Sequence, residues 1–541
     1  MRSIVLCCLA AGIAALFLTA CEPGETRVER GTREGILHWG NSAEPQGLDP
    51  HVVTGVPEHM ILVALFEGLV IMDPETLEPA PGVAESWEIS DDDLVYTFHL
   101  RDDARWSNGD PVTAHDFVYA WNRILSPALG SEYAYMLHCI ENAEAYNEGD
   151  LEDFGEVGAQ ALDDQTLEVT LEHPTPYFLS LQIHYTFFPV HQDSIEAFGA
   201  MDERGTPWTR AGNMVSNGPF ELADWRPNQV IRTVANEHYW DAETVRLNGV
   251  NFYPIDDLQT EERSFRGGEL HWTGDMPINR IDWYRENRPE VLEINPYLGT
   301  YYFRFNVTRP PLDDARVRRA LAMAIDREAI VENITRADEQ PAAHLTPPDT
   351  EGFLPGAELP HDVERAQELL AEAGYPGGEG LPPLDLLYNT SENHRMIAQA
   401  IQNMWRTNLG ANVNLLNQEW SVYLSSMSNL DYDIARSGWI GDVNDPINFL
   451  ECFVTDGGNN RTGYSSEEYD SLIAAARREA DPERRSEILR DAEIILMEDA
   501  PIAPLYFYTR KNLRSPDLRG FEPNIRGYVN YKFLYLEAED E

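Results

Sequence analysis

The chain has 541 residues, too many for one hydrophobic core, so two to four structural units are expected. Hydrophobic residues make up 43% and charged residues 24%, a balance that excludes global disorder. Asp and Glu number 92 against 40 Lys and Arg, and the net charge of -52 argues against nucleic-acid partners and anionic membrane surfaces. Two of the basic residues, Lys511 and Lys532, are lysines and the rest are arginines. Such a surface suits either plain solubility or a salt-rich habitat whose counter-ions screen self-repulsion, and bears on environment rather than activity.

In chain order, Arg2 precedes the uncharged apolar run 4–18, which is shorter than the roughly 20 residues a membrane-spanning helix needs. Leu18-Thr19-Ala20-Cys21 closes this segment in the manner of a bacterial lipobox, so Cys21 is expected to be lipidated and to become the mature N-terminus. Acyl chains would then anchor the protein to a membrane, with the chain lying outside the cytoplasmic membrane. Residues 22–35 are short, polar and charged, and read as a tether. With Cys7 and Cys8 removed and Cys21 acylated, Cys139 and Cys452 remain; a disulfide is chemically allowed, and two buried thiols are preferred.

Residues 94–100, β-branched and aromatic, read as a strand. Residues 114–125 read as a helix with Phe117, Trp121 and Ile124 on one side, and 166–171 as a second strand. Asp313 or Asp314 can cap a helix on which Val317, Leu321 and Ile325 recur, and Asp362 opens another that stops near Gly374. Strands are expected at 384–389 and 413–417, flanking a helical pattern at 394–408. Helices follow at 466–480 and 482–497, and a strand at 502–508. This alternation indicates α/β units.

Catalytic signatures are missing: there is no H-E-x-x-H, Walker loop, C-x-x-C or Gly-x-Ser-x-Gly pattern, and the 14 histidines do not cluster at metal-ligand spacing. His184 and His191 read as packing or surface positions. Neither an enzyme activity nor a cofactor or metal is expected, which leaves ligand capture. Most of the 56 aromatic residues serve core packing, and a minority can line a cavity.

Ordered motifs run along most of the chain. They include Leu48-Asp49-Pro50-His51, Leu65-Phe66-Glu67-Gly68-Leu69, Pro81-Gly82-Val83-Ala84-Glu85-Ser86-Trp87 and Asp116-Phe117-Val118-Tyr119. Later come Leu386-Leu387-Tyr388-Asn389-Thr390-Ser391, Asn417-Gln418-Glu419-Trp420 and Asp433-Ile434-Ala435-Arg436-Ser437-Gly438-Trp439. In these the chain resembles the oligopeptide-binding proteins of bacterial ABC importers, in the peptide and nickel class of solute-binding proteins. The resemblance implies an α/β, type II periplasmic-binding-protein fold of three lobes, with the ligand cleft between lobes I and III. Lobe I would combine residues 22–66, 193–298 and 509–541; lobe II would be 67–192 and lobe III 299–508. It further implies a monomer that captures short peptides and delivers them to a membrane permease. Murein peptide, dipeptide, nickel chelate or haem are the alternative cargoes.

The same resemblance places Asp442 on the peptide α-ammonium, and Arg436 and His394 as cations for the peptide carboxylate. Thr54, Gly55 and Val56 would offer backbone groups to the peptide. Tyr133, Tyr297 and Tyr302 would face the cleft, with Trp420 and Trp439 walling side-chain pockets. The sequence departs from the family at Met427 and Thr335, where an arginine and a lysine are expected, so peptide length is left open. Gly299 and Ile440 stand where some relatives have a disulfide.

Overall fold

The computed structural model describes residues 24–538, apart from 75, 349, 351 and 480. The export segment and Cys21 lie outside the described residues.

Three sheets organise the chain. Strands Ile36–Gly40, Gly249–Tyr253, Val230–Ala235 and Phe220–Arg226 form a four-stranded sheet in that spatial order. A second antiparallel sheet joins Ala84–Ile89, Val95–Leu100, Thr166–Thr170 and Ala159–Asp163. Val95–Leu100 alternates half-buried and buried residues, as a sheet with one covered face requires. Helix Ala114–Leu125 buries Phe117, Trp121 and Ile124. The third and largest sheet has six strands, with Leu292–Phe305 and Ile502–Leu513 in its interior.

The expected helices at 394–408, 466–480 and 482–497 appear as Glu392–Leu409, Glu467–Arg478 and Pro482–Asp499. Asp314 and Asp362 cap Ala315–Met323 and Val363–Glu372 by accepting from Arg316 N and Arg365 N. The expected tether is corrected: within it, Arg27–Glu34 is a helix. Thr26 and Glu29 form a reciprocal capping box, and Gly35 ends the helix in the left-handed conformation. The helix is docked, since Val28 N donates to the Gly268 carbonyl and the Thr32 hydroxyl to Asp517 Oδ2. Cys139 and Cys452 are both buried and free. Gly299 and Ile440 face each other across paired strands, so the substituted bridge positions are in register.

Two features of the six-stranded sheet build the site. First, Leu384–Asn389 pairs in parallel with both Val413–Gln418 and Ile434–Ile440, so the three carboxyl ends point the same way. Ligands in open α/β sheets collect beyond such ends. Second, the pairing of Leu292–Phe305 with Ile502–Leu513 shifts register between Pro296 and Thr300. Such irregularities re-aim side chains, and Tyr297 and Tyr508 both sit at the break.

Candidate ligand-binding site

Two adjoining cavities share Val56, Met60, Tyr297, Trp420, Arg436 and Tyr508 as a common wall. The first holds Asp442 and the second His394.

Asp442 lies two residues past strand Ile434–Ile440. Asn448 fixes it: its Oδ1 accepts from Asp442 N at 2.9 Å and from Trp439 Nε1 at 3.1 Å. The side chain is 14% exposed, with Oδ1 3.4 Å from His184 Nε2. Oδ2 is buried and has no hydrogen-bond donor among the described residues. Burial raises the carboxyl pKa to about 7, against a smaller opposing effect of Arg526, which donates to the Asp442 carbonyl. His184 does not supply the missing charge: burial, then His59 and Arg526, push it well below 6.5, so it is neutral. Tyr133 closes this end, 5.1 Å from the His184 ring and 6.3 Å from Trp439.

Arg436 stands between the cavities. Its Nη2 donates to the Tyr508 hydroxyl at 2.7 Å, its guanidinium lies 4.7 Å from the Tyr301 ring centre, and its Nε has no acceptor among the described residues. His394, in the first turn of Glu392–Leu409, lies 3.3 Å from the Tyr301 hydroxyl through Nδ1. The expectation that His394 is a cation is corrected. Burial, then Arg436 and Lys511, hold it well below 6.5, so it offers a neutral hydrogen bond.

Trp420 opens helix Trp420–Ser428 and stacks 5.7 Å from Tyr423, with Nε1 3.4 Å from Glu58 Oε1. Thr54 and Gly55 line the first cavity, and Val56 both. At Gly55 a Cβ would come within 2.0 Å of Glu58 Oε2 and 3.0 Å of Trp420, so this approach needs glycine. Tyr302 is also corrected: it lines neither cavity. Arg304 lies 5.7 Å from its ring centre, bonds its hydroxyl at 3.2 Å, and itself reaches the first cavity.

Several lining residues went unread in the sequence. Arg461 and Arg526 reach the first cavity from remote segments, and Arg510 and Lys511 reach the second; His184, expected only as a packing or surface position, is buried and also lines the first. Local spacing carries no signal for them, although Lys511 was conspicuous as one of two lysines. Met427 and Thr335 line the first and second cavities respectively. Arg461 pairs with Glu132, which also accepts from the Ser428 hydroxyl at 2.9 Å, and Gly458 packs against the Glu132 backbone.

The arrangement is a chamber with a carboxyl acceptor at one end, a guanidinium in the middle and aromatic walls. The pattern of the bacterial extracellular solute-binding proteins, family 5 Middle, matches residues 78–461, and the chain belongs to this family. Among its relatives is the periplasmic oligopeptide-binding protein OppA of Salmonella typhimurium, 39% identical over 98% of each chain. The Haemophilus influenzae OppA complex with RPPGFSPFR superposes with a TM-score of 0.88, at 34% identity over 93% of this chain and 99% of that one. The Escherichia coli murein tripeptide binding protein MppA gives 0.87 at 37% identity over 93% and 98%, whereas its unliganded open form gives 0.63 over 93% and 97%. The lobes therefore stand closer to the peptide-complexed arrangement than to the open one.

Proposed function

We propose that this protein captures short peptides outside the cytoplasmic membrane and delivers them to an ABC transporter permease. One observation carries the reading: Asp442 is an enclosed carboxylate whose Oδ2 lacks a donor. A peptide α-ammonium supplies both the charge and the hydrogen bonds that this oxygen lacks. Arg436 then receives the peptide carboxylate, and the segment 54–56 pairs with peptide backbone. Because backbone and termini are common to all peptides, such a grip tolerates varied side chains. Trp420, Trp439, Tyr133 and Tyr297 wall the side chains. Closure follows from the equilibrium between open and closed lobes, which a ligand gripped by both shifts.

Further parts of the reading concern placement. Cys21 carries the lipid and the mature chain works as a monomer. The chain divides into lobes near 66/67, 192/193, 298/299 and 508/509; what supports this is that the second sheet lies within 67–192 and that the strands crossing 298/299 and 508/509 pair together, whereas 192/193 falls inside helix Gln192–Glu196. Calorimetry with a free tripeptide and its N-acetylated form tests the function. The free peptide should bind and the blocked one at least tenfold more weakly; equal affinities would remove Asp442 from this role.

A further inference from the structure

Arg510 is a guanidinium in the wall of the second cavity that has no acidic partner among the described residues. Its Nη1 donates to the Gly527 carbonyl, its Nη2 meets only the weak acceptor Met60 Sδ at 4.0 Å, and it lies 5.3 Å from the Trp272 ring centre. A guanidinium has five N–H donors and stays charged at any working pH. The side chain is half-buried; even partial burial of a charge without a counter-charge is costly, and it is unexpected in a chain with 92 acidic and 40 basic residues.

The next residue gives the contrast. Lys511 Nζ is 3.3 Å from both Glu339 Oε1 and the Thr509 carbonyl, and Asp275 also acts on it. Its charge is met inside the wall. Asp275, on the same cavity, is turned to Met276 N at 2.7 Å and Asn393 Nδ2 at 3.4 Å. Arg510 is the cation left over, and the space in front of it is the chamber that continues from Arg436.

We propose that Arg510 is a second carboxylate-recognising residue, which takes either the C-terminus of a longer peptide or an acidic side chain. This rests on the peptide-binding reading above. Arg510 and Arg436 sit on different strands of one sheet, so the chamber offers two separate grips for carboxylate. Peptides bearing two carboxylates, or one placed beyond the reach of Arg436, gain most. Thr335, at the position where a lysine is expected, ends the helical segment Val331–Thr335 and lines this cavity, and Arg510 supplies a positive charge to the same cavity from a strand.

The test is calorimetry on four tetrapeptides: Glu or Gln at the third position, each as free acid or C-terminal amide. Arg510→Gln should lose about tenfold in affinity for the peptides carrying the recognised carboxylate and nothing for the others. If the Glu-over-Gln preference collapses, the side chain is the source; if the acid-over-amide preference collapses, the C-terminus is. Unchanged affinities, or an equal loss on all four, overturn the proposal while leaving peptide capture standing. A wild-type protein that binds none of the four overturns peptide capture itself. Should Arg510→Gln not fold, Arg436→Gln decides: it keeps a carboxylate preference supplied by Arg510, and losing all preference refutes the role.

Discussion

Replacing Asp442 by Asn keeps the shape of the side chain and removes its charge. In the empty chamber burial holds the carboxyl pKa near 7, so at pH 7 about half the molecules carry a proton on Asp442. A bound ammonium favours the ionised form, so binding expels that proton. Linkage then sets the sign: affinity is fully present above about pH 7 and falls by up to tenfold per unit as pH drops below it. It falls again above about pH 8, where the peptide amine loses its own proton. The charge-assisted contact itself is worth about 1.5–3 kcal/mol, or roughly 10- to 150-fold in affinity. His59, at about 4, and His184, held well below 6.5 by burial, stay neutral across this window. Glu58 titrates near 7 and bonds Trp420 in the wall, so Glu58→Gln is the control and should keep the acid-side slope. Calorimetry from pH 5.5 to 8, in buffers of different ionisation enthalpy, reads affinity and proton release together. Asp442→Asn should bind at least tenfold more weakly at pH 7.5, with a flat acid limb and no proton release. An Asn variant that keeps the slope would refute the reasoning.

Gly458→Ala should hinder closure, because the added Cβ would lie 2.4 Å from the Glu132 carbonyl oxygen and 2.7 Å from its Cα. Weaker peptide binding and a larger radius of gyration in small-angle scattering, at peptide levels that compact the wild type, are expected. Glu493 is buried, accepts from Leu345 N and Thr346 N, and has its pKa raised to about 7 by burial. A raised carboxyl favours the fold at low pH, and that contribution is lost as pH rises through 7, at most about 3 kcal/mol. Glu493→Gln should therefore melt higher than wild type at pH 8, with the gap closing by pH 5. Cys21→Ser should move the protein from the detergent phase to the aqueous phase in a detergent partition; unchanged partitioning would rule out Cys21 as the anchor.

Helices with acidic caps and a clear apolar stripe were legible, as Asp362 with Val363–Glu372 and Pro482–Asp499 show. Strand Leu292–Phe305 was not, because Asn295, Pro296 and Gly299 interrupt its apolar pattern and its stability comes from long-range pairing. The Thr26–Glu29 capping box was readable, yet the polar composition around it suggested a tether. At the site, the residues just past the parallel strands could be placed because they lie in contiguous motifs. The partners of Asp442 could not: His184 and Arg526 are distant from it in sequence and meet it only through the tertiary fold. Charge state was equally hidden, since His394 is neutral because of what surrounds it.

Both lysines are buried, Lys511 8% exposed and Lys532 2%, each committed to an ion pair with an acid. The folded surface therefore offers acylating reagents no side-chain amine. Covalent amine coupling of the folded chain to a sensor chip is left to a free terminal α-amine, so it would attach the protein at one end rather than across its surface. The same scarcity is useful: with the terminal α-amine blocked, mass increments from an N-hydroxysuccinimide ester count openings of two known places, the far wall of the chamber at Lys511 and the C-terminal segment at Lys532.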